Sequence, residues 1–162
     1  MPAGPVTGSM KYFLTAEKFA VIGRVLSDRS RWDNKVLRWY QARGYPVTAI
    51  RPNNPSSEPV EGLQVVTDPL SIPDLSHTSI SIIYHPTHSL PILKSLFPLP
   101  PAQPDKEPYS VWFQPGADDE SIWAYVKQRG IEDKVVGHGA CVLRDGQSVL
   151  DAIEDDTARG KL

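Results

Sequence analysis

A single cysteine, Cys141, stands in 162 residues, which excludes a disulfide within the chain and points to a reducing compartment. Net charge is nearly absent too. Seventeen basic side chains against nineteen acidic ones leave −2 at pH 7, with a pI near 6.1, and this balance argues against a general nucleic-acid binder, which needs a basic face for backbone phosphates. No apolar stretch approaches the roughly 20 residues needed to cross a bilayer, and no basic segment is followed by an apolar one of signal-peptide type. The expectation is a soluble, cytoplasmic chain with neither nucleic acid nor membrane as partner. The four histidines, at 77, 85, 88 and 138, show no metal-ligand spacing with cysteine or acidic partners, so no metal is expected.

Proline, by contrast, is abundant, and the positions of the sixteen prolines divide the chain. The first ten residues (MPAGPVTGSM) hold proline, glycine and serine without periodicity, which predicts a disordered N-terminal segment or tag, Gly8-Ser9-Met10 having the look of a cloning scar. Residues 52–59 form a polar loop, and 97–108 (FPLPPAQPDKEP) a longer one on the surface. With 40% hydrophobic residues the rest can bury one ordinary core. One domain over 11–150 is expected, with 151–162 as a tail.

Within that domain the clearest unit runs from Lys18 to Pro52. Phe19, Ala20, Val21 and Ile22 are consecutive apolar residues, as a strand buried on both faces requires, and they stop at Gly23. Trp32, Val36, Leu37 and Tyr40 then fall on a 3.6-residue stripe, which Gly44 ends. Val47 to Ile50 is a second apolar run. This is a βαβ unit, and the first strand-to-helix turn of such a unit is where nucleotide phosphates usually bind.

The alternation continues. Ser79 to Tyr84 reads as a third strand, left through His85-Pro86, with a short helix over 89–96 that tolerates Pro91 in its first turn. Ser110 to Phe113 is a fourth strand, followed by the turn Gln114-Pro115-Gly116. Asp118, Asp119 and Glu120 open a helix that carries Lys127 and Arg129 in its last turn and stops at Gly130. Lys134 to Val136 is a fifth strand, and Ala140 to Leu143 begins a final element. Strands alternating with helices imply an α/β, Rossmann-like, doubly wound and mostly parallel five-stranded sheet with helices on both faces.

These residues resemble a known family. AVIG at 20–23, NKVLRWYQARGYPV at 34–47, the TSISII strand, VWFQPGADDESI at 111–122 and the late ACVL are similar to the small stand-alone CoA-binding proteins, relatives of the CoA-binding domain of the succinyl-CoA synthetase alpha subunit. The resemblance runs from about Phe13 to about Leu150. It implies a ligand site at Gly23, Arg24 and Val25, where the family has Gly, a small residue and Ser, and only Gly23 matches. It adds Asn34, the matching half of a Gly-Asn pair that here reads Asp33-Asn34. His85 and Pro86 stand at a Pro-Pro position, and Gln114 and Gly116 belong to a turn that matches intact.

Two side chains bear on the ligand. Asp33 repels a phosphate unless its carboxylate caps its own helix or Arg24, Arg29 and Arg31 neutralise it. Arg51 closes the second strand where an NAD site needs an acidic residue, which favours a ribose phosphate, as on CoA or NADP. The expected ligand is therefore CoA, an acyl-CoA or a related adenine nucleotide, with CoA or acyl-CoA ahead of NADP, held without evident catalytic machinery. Two alternatives stand beside it. One is a small enzyme using the same crevice on a non-nucleotide substrate, with His85, His138 or Cys141 as acid, base or nucleophile. The other is an interaction module that meets a partner through its 97–108 loop.

Overall fold

The computed structural model describes residues 4–24, 26–52 and 58–160. Six parallel strands make one sheet: β1 (Lys18–Gly23), β2 (Val47–Ile50), β3 (Val65–Val66), β4 (Thr78–Ile83), β5 (Ser110–Phe113) and β6 (Val135–Val136). Their order is β3-β2-β1-β4-β5-β6. The chain therefore builds outward from β1 in one direction and then returns to its other side, so the topology switches between β1 and β4.

Five helices cover the two faces: α1 (Gly8–Leu14), α2 (Trp32–Ala42), α3 (Pro86–Leu96), α4 (Glu120–Arg129) and α5 (Val142–Ala158). Strand residues alternate between them with period two. Ala20, Ile22, Ile80, Ile82, Val111 and Phe113 share one core with α3 and α4, while Phe19, Val21, Ala49 and Trp112 share the other with α1, α2 and α5. The serines of β4 point into the second core and are satisfied there. Ser79 Oγ donates to Phe13 O at 2.8 Å, and Ser81 Oγ lies 2.8 Å from the Tyr40 hydroxyl.

Four expectations change. The sheet has a sixth strand, β3, whose two residues are too short for any periodicity to betray them. Residues 7–10 belong to the fold: Thr7 caps α1 by accepting the Met10 amide, Met10 and Phe13 are buried, and Gly4 N donates to Asp145 Oδ1 at 2.9 Å. Much of 151–162 is helical as well, because α5 keeps an apolar stripe through Val149, Leu150 and Ile153. Helix α3 starts at Pro86 rather than 89, since the His85 ring accepts the Thr87 amide and proline suits the first helical position, which leaves Pro91 inside the helix.

Candidate functional site

The C-terminal edge of the sheet collects the residues that matter. Directly after β1 comes Arg24, after β2 Arg51, after β4 Tyr84 and His85, and after β5 Gln114. In an open α/β sheet a ligand lies outside this edge, at the switch of topology. A cleft of about 520 Å³ is found there, lined by Arg24, Arg31, Tyr84, His85, His88 and Gly116 among others.

Unsatisfied donors mark the same edge. Among the described residues four buried side-chain polar atoms have no hydrogen-bond partner, and three of them are Arg51 Nε, the Tyr84 hydroxyl and Gln114 Nε2. The fourth, Arg129 Nε, belongs to a side chain in a buried ion pair with Glu107, in α4 and away from the strand ends. Native interiors rarely leave such groups unpaired, because each one costs about 1 to 3 kcal/mol. All three at the edge can donate a hydrogen bond, so the complement they fit is rich in acceptors.

Every expected site residue but Val25 has a definite place. Gly23 ends β1, buried against Asp33. Arg24 is exposed and lines the cleft, whereas Val25 lies outside the described residues. Asn34 is committed to the local structure. Its amide donates to Leu26 O at 2.6 Å and Glu61 Oε2 at 3.2 Å, and its oxygen accepts Arg38 Nε at 2.7 Å. It holds the turn after β1 rather than facing the crevice. Arg51 is only 6% exposed, and its backbone amide extends the pairing with β3 by donating to Val66 O at 2.8 Å. His85 caps α3, Pro86 begins it, and Gly116 sits in the turn with φ +89°. Gln114 is buried, its Oε1 accepting the Val142 amide at 3.0 Å and so tying β5 to the start of α5.

Asp33 lies at the second position of α2, not at its cap, which is Arg31. Its Oδ1 accepts the Asn34 amide at 2.8 Å. Trp32, expected in the core, is 46% exposed beside this corner, with the Lys35 ammonium 5.6 Å from its ring centroid. Tyr84 joins the site although no motif flags it, since it reads as the end of a strand. Burial raises its phenol above the ordinary range, opposed by the Arg24 and Arg51 charges and reinforced by Asp33. One phenol thus senses three charged groups from the ends of two strands and the start of a helix.

Two of the enzyme candidates are placed apart from this cleft lining. The His138 imidazole stacks on Trp123 with centroids 3.8 Å apart, in a loop fixed by Asp118, which accepts the His138 amide at 2.8 Å and Trp123 Nε1 at 2.7 Å. Cys141 is buried at the start of α5. Among the described residues no three His, Cys, Asp or Glu side chains group so as to hold a metal ion, and no helix is long and apolar enough to cross a membrane.

Comparison with known proteins bears on the family and the fold. The profile of the family described as CoA binding domain matches residues 17–147. The chain belongs to the CoA-binding domain family. Among solved structures, the domain is similar to Prb, described as the PH1109 protein redesigned for binding (21% identity, TM-score 0.68, covering 92% of this chain and 96% of that one). It is also similar to a hypothetical protein from Pyrococcus horikoshii OT3 (20% identity, TM-score 0.68, 93% and 96%). A third likeness is to cell-free ID.343 from Thermus thermophilus (24% identity, TM-score 0.65, 85% and 93%). At these identities the structures establish the Rossmann-like α/β fold alone. No curated protein matches the chain.

Proposed function

We propose that this domain is a cytoplasmic protein that holds CoA or an acyl-CoA across the C-terminal edge of its sheet, in preference to NADP, and that it binds this ligand without transforming it. The observation that carries this is the set of three buried, unpaired donors at the ends of β2, β4 and β5. A ligand with phosphate oxygens at one end and amide carbonyls along its length supplies acceptors to all of them.

Each residue then has a part. Arg24, directly after Gly23, borders the diphosphate. Arg51 takes the ribose phosphate, since a cation at the end of the second strand suits a phosphorylated ribose where an acid would suit a free diol. His85 and Gly116 line the crevice, Pro86 opens α3 beside it, Gln114 offers its unpaired Nε2 at the same edge, and Asn34 serves the site indirectly by holding the turn after β1.

Titration calorimetry with CoA, dephospho-CoA, NADPH and NADH tests this assignment. CoA should bind tightest, dephospho-CoA should lose about tenfold, equivalent to about 1.4 kcal/mol, and Arg51→Ala should abolish that difference. Equal indifference to all four ligands would end the proposal.

A further inference from the structure

In this fold the usual seat for a diphosphate lies between the glycine that ends β1 and the first amides of the next helix. Here a carboxylate already fills it. A Cβ built on Gly23 would lie 2.5 Å from Asp33 Cβ and 2.6 Å from Asp33 Oδ2, while Oδ1 accepts the Asn34 amide at the start of α2. Asp33 is 3% exposed, so it is packed into the seat rather than leaning over it.

Magnitudes decide what this does to an incoming phosphate. A helix N-terminus strengthens anion binding by roughly thirtyfold at most, whereas a like charge about 4 Å away weakens it by roughly a thousandfold at the effective dielectric of a protein surface. Repulsion wins at the main-chain seat. Across the crevice the sign reverses: Arg24, Arg31, His85 and His88 all line the cleft of about 520 Å³, no acidic residue among the described ones lines it, and the unpaired hydroxyl there belongs to Tyr84, itself 7% exposed.

We propose that the ligand's diphosphate is carried by side chains in this cleft, among Arg24, Arg31, His85 and His88, and that Asp33 excludes it from the main-chain seat. This rests on the CoA assignment above and gives Asp33, Arg31 and His88 roles in it. Because Arg24 and Arg31 are exposed, their grip is a matter of charge and falls with added salt.

The test is calorimetry with CoA, ADP, adenosine and pantetheine on the full chain and on Asp33→Asn and Arg31→Ala. Asp33→Asn keeps an oxygen for the Asn34 amide and removes the charge, exchanging the second oxygen for an NH2 group of nearly the same size. It should tighten CoA and ADP at least fivefold and leave adenosine and pantetheine unchanged. Arg31→Ala, on an exposed side chain that makes no cap hydrogen bond to α2, should weaken CoA and ADP about tenfold and flatten their salt dependence. An unchanged or weaker CoA affinity in Asp33→Asn, or an unchanged one in Arg31→Ala, overturns the proposal. Absence of CoA binding by the unaltered chain would overturn the CoA assignment itself and this proposal with it.

Discussion

Asp145 shows how one buried charge ties distant parts of the chain together. It is 1% exposed, accepts Arg144 Nε at 2.8 Å and Nη2 at 2.7 Å, and also accepts the amides of Cys141 and Gly4, both at 2.9 Å. The Arg144 hydrogen bonds lead in pulling its carboxyl down to about 2, against the opposing effect of burial, with the two amides and the arginine's charge assisting. A carboxyl near 3.8 when unfolded and about 2 when folded contributes stability that is complete above about pH 4 and is lost as pH falls toward 2. The amount is about 2 kcal/mol. Asp145→Asn should therefore unfold at lower urea at pH 7, and the gap from the parent should close near pH 2; a gap independent of pH would show that the charge is not the stabilising feature. Individual residues are unevenly legible in the sequence. Arg51 and Gln114 announce themselves by their places after strands, and both prove to carry unpaired buried donors. Asp33 stands out in the sequence as a carboxylate at the phosphate corner, but no spacing says that it will rest on Gly23, ten positions earlier, rather than cap its helix. Tyr84 hides by being apolar enough to end a strand.

Secondary structure follows the pattern of apolar periods wherever an element is long. Helices α2 and α4 stand close to the ranges their stripes and caps imply, and the five apolar runs that read as strands all become strands. What escapes is structure whose support is tertiary. Helix α1 has seven residues and is held by the Thr7 cap, by Lys11 Nζ at 2.5 Å from Asp156 Oδ2, and by Tyr12 stacked on Tyr109 at 4.3 Å. None of these partners is near in sequence except the cap, so composition alone makes the segment look unstructured. The crossing of α2 and α5 gives a sharper example. Gly146 lies inside α5, where alanine would ordinarily be better by about 1 kcal/mol, yet its Cβ would fall 2.4 Å from Trp39 Cζ2. Trp39 cannot turn away cheaply, being 8% exposed, with Arg43 3.9 Å over its ring and Tyr40 edge-on at 5.2 Å. Overpacking of this kind costs about 1 to 3 kcal/mol, so Gly146→Ala should destabilise the domain in urea melts. In a Trp39→Leu background the same substitution should become stabilising by about 1 kcal/mol, a change of sign that helix propensity alone does not produce.

Taken together, the elements leave open space in more than one place, and size alone does not select the proposed site. A cavity of about 650 Å³ lies at the N-terminal ends of the strands, lined by Lys18, Tyr45, Pro46, Ile72, Pro73 and Thr78, and it is larger than the cleft of about 520 Å³ at the C-terminal edge. Two arginines and the unpaired Tyr84 hydroxyl distinguish the smaller one. Parallel topology explains why: every strand ends on the same side, so the residues following β1, β2, β4 and β5 are brought to one edge while their starts receive the returning loops. Ligand binding should thus register on one side of the molecule only. CoA at one hundred times its Kd adds about 2.7 kcal/mol to stability, which for a domain of this size raises Tm by roughly 5 to 10 °C. Beyond that global gain, hydrogen exchange should slow locally over residues 26–34, 84–90 and 114–118 and stay unchanged in the loops at 44–46 and 72–74. Protection centred on the latter two loops would move the binding site to the opposite end of the sheet, whatever the family implies, because an amide is slowed locally only where the ligand or the structure it orders covers it.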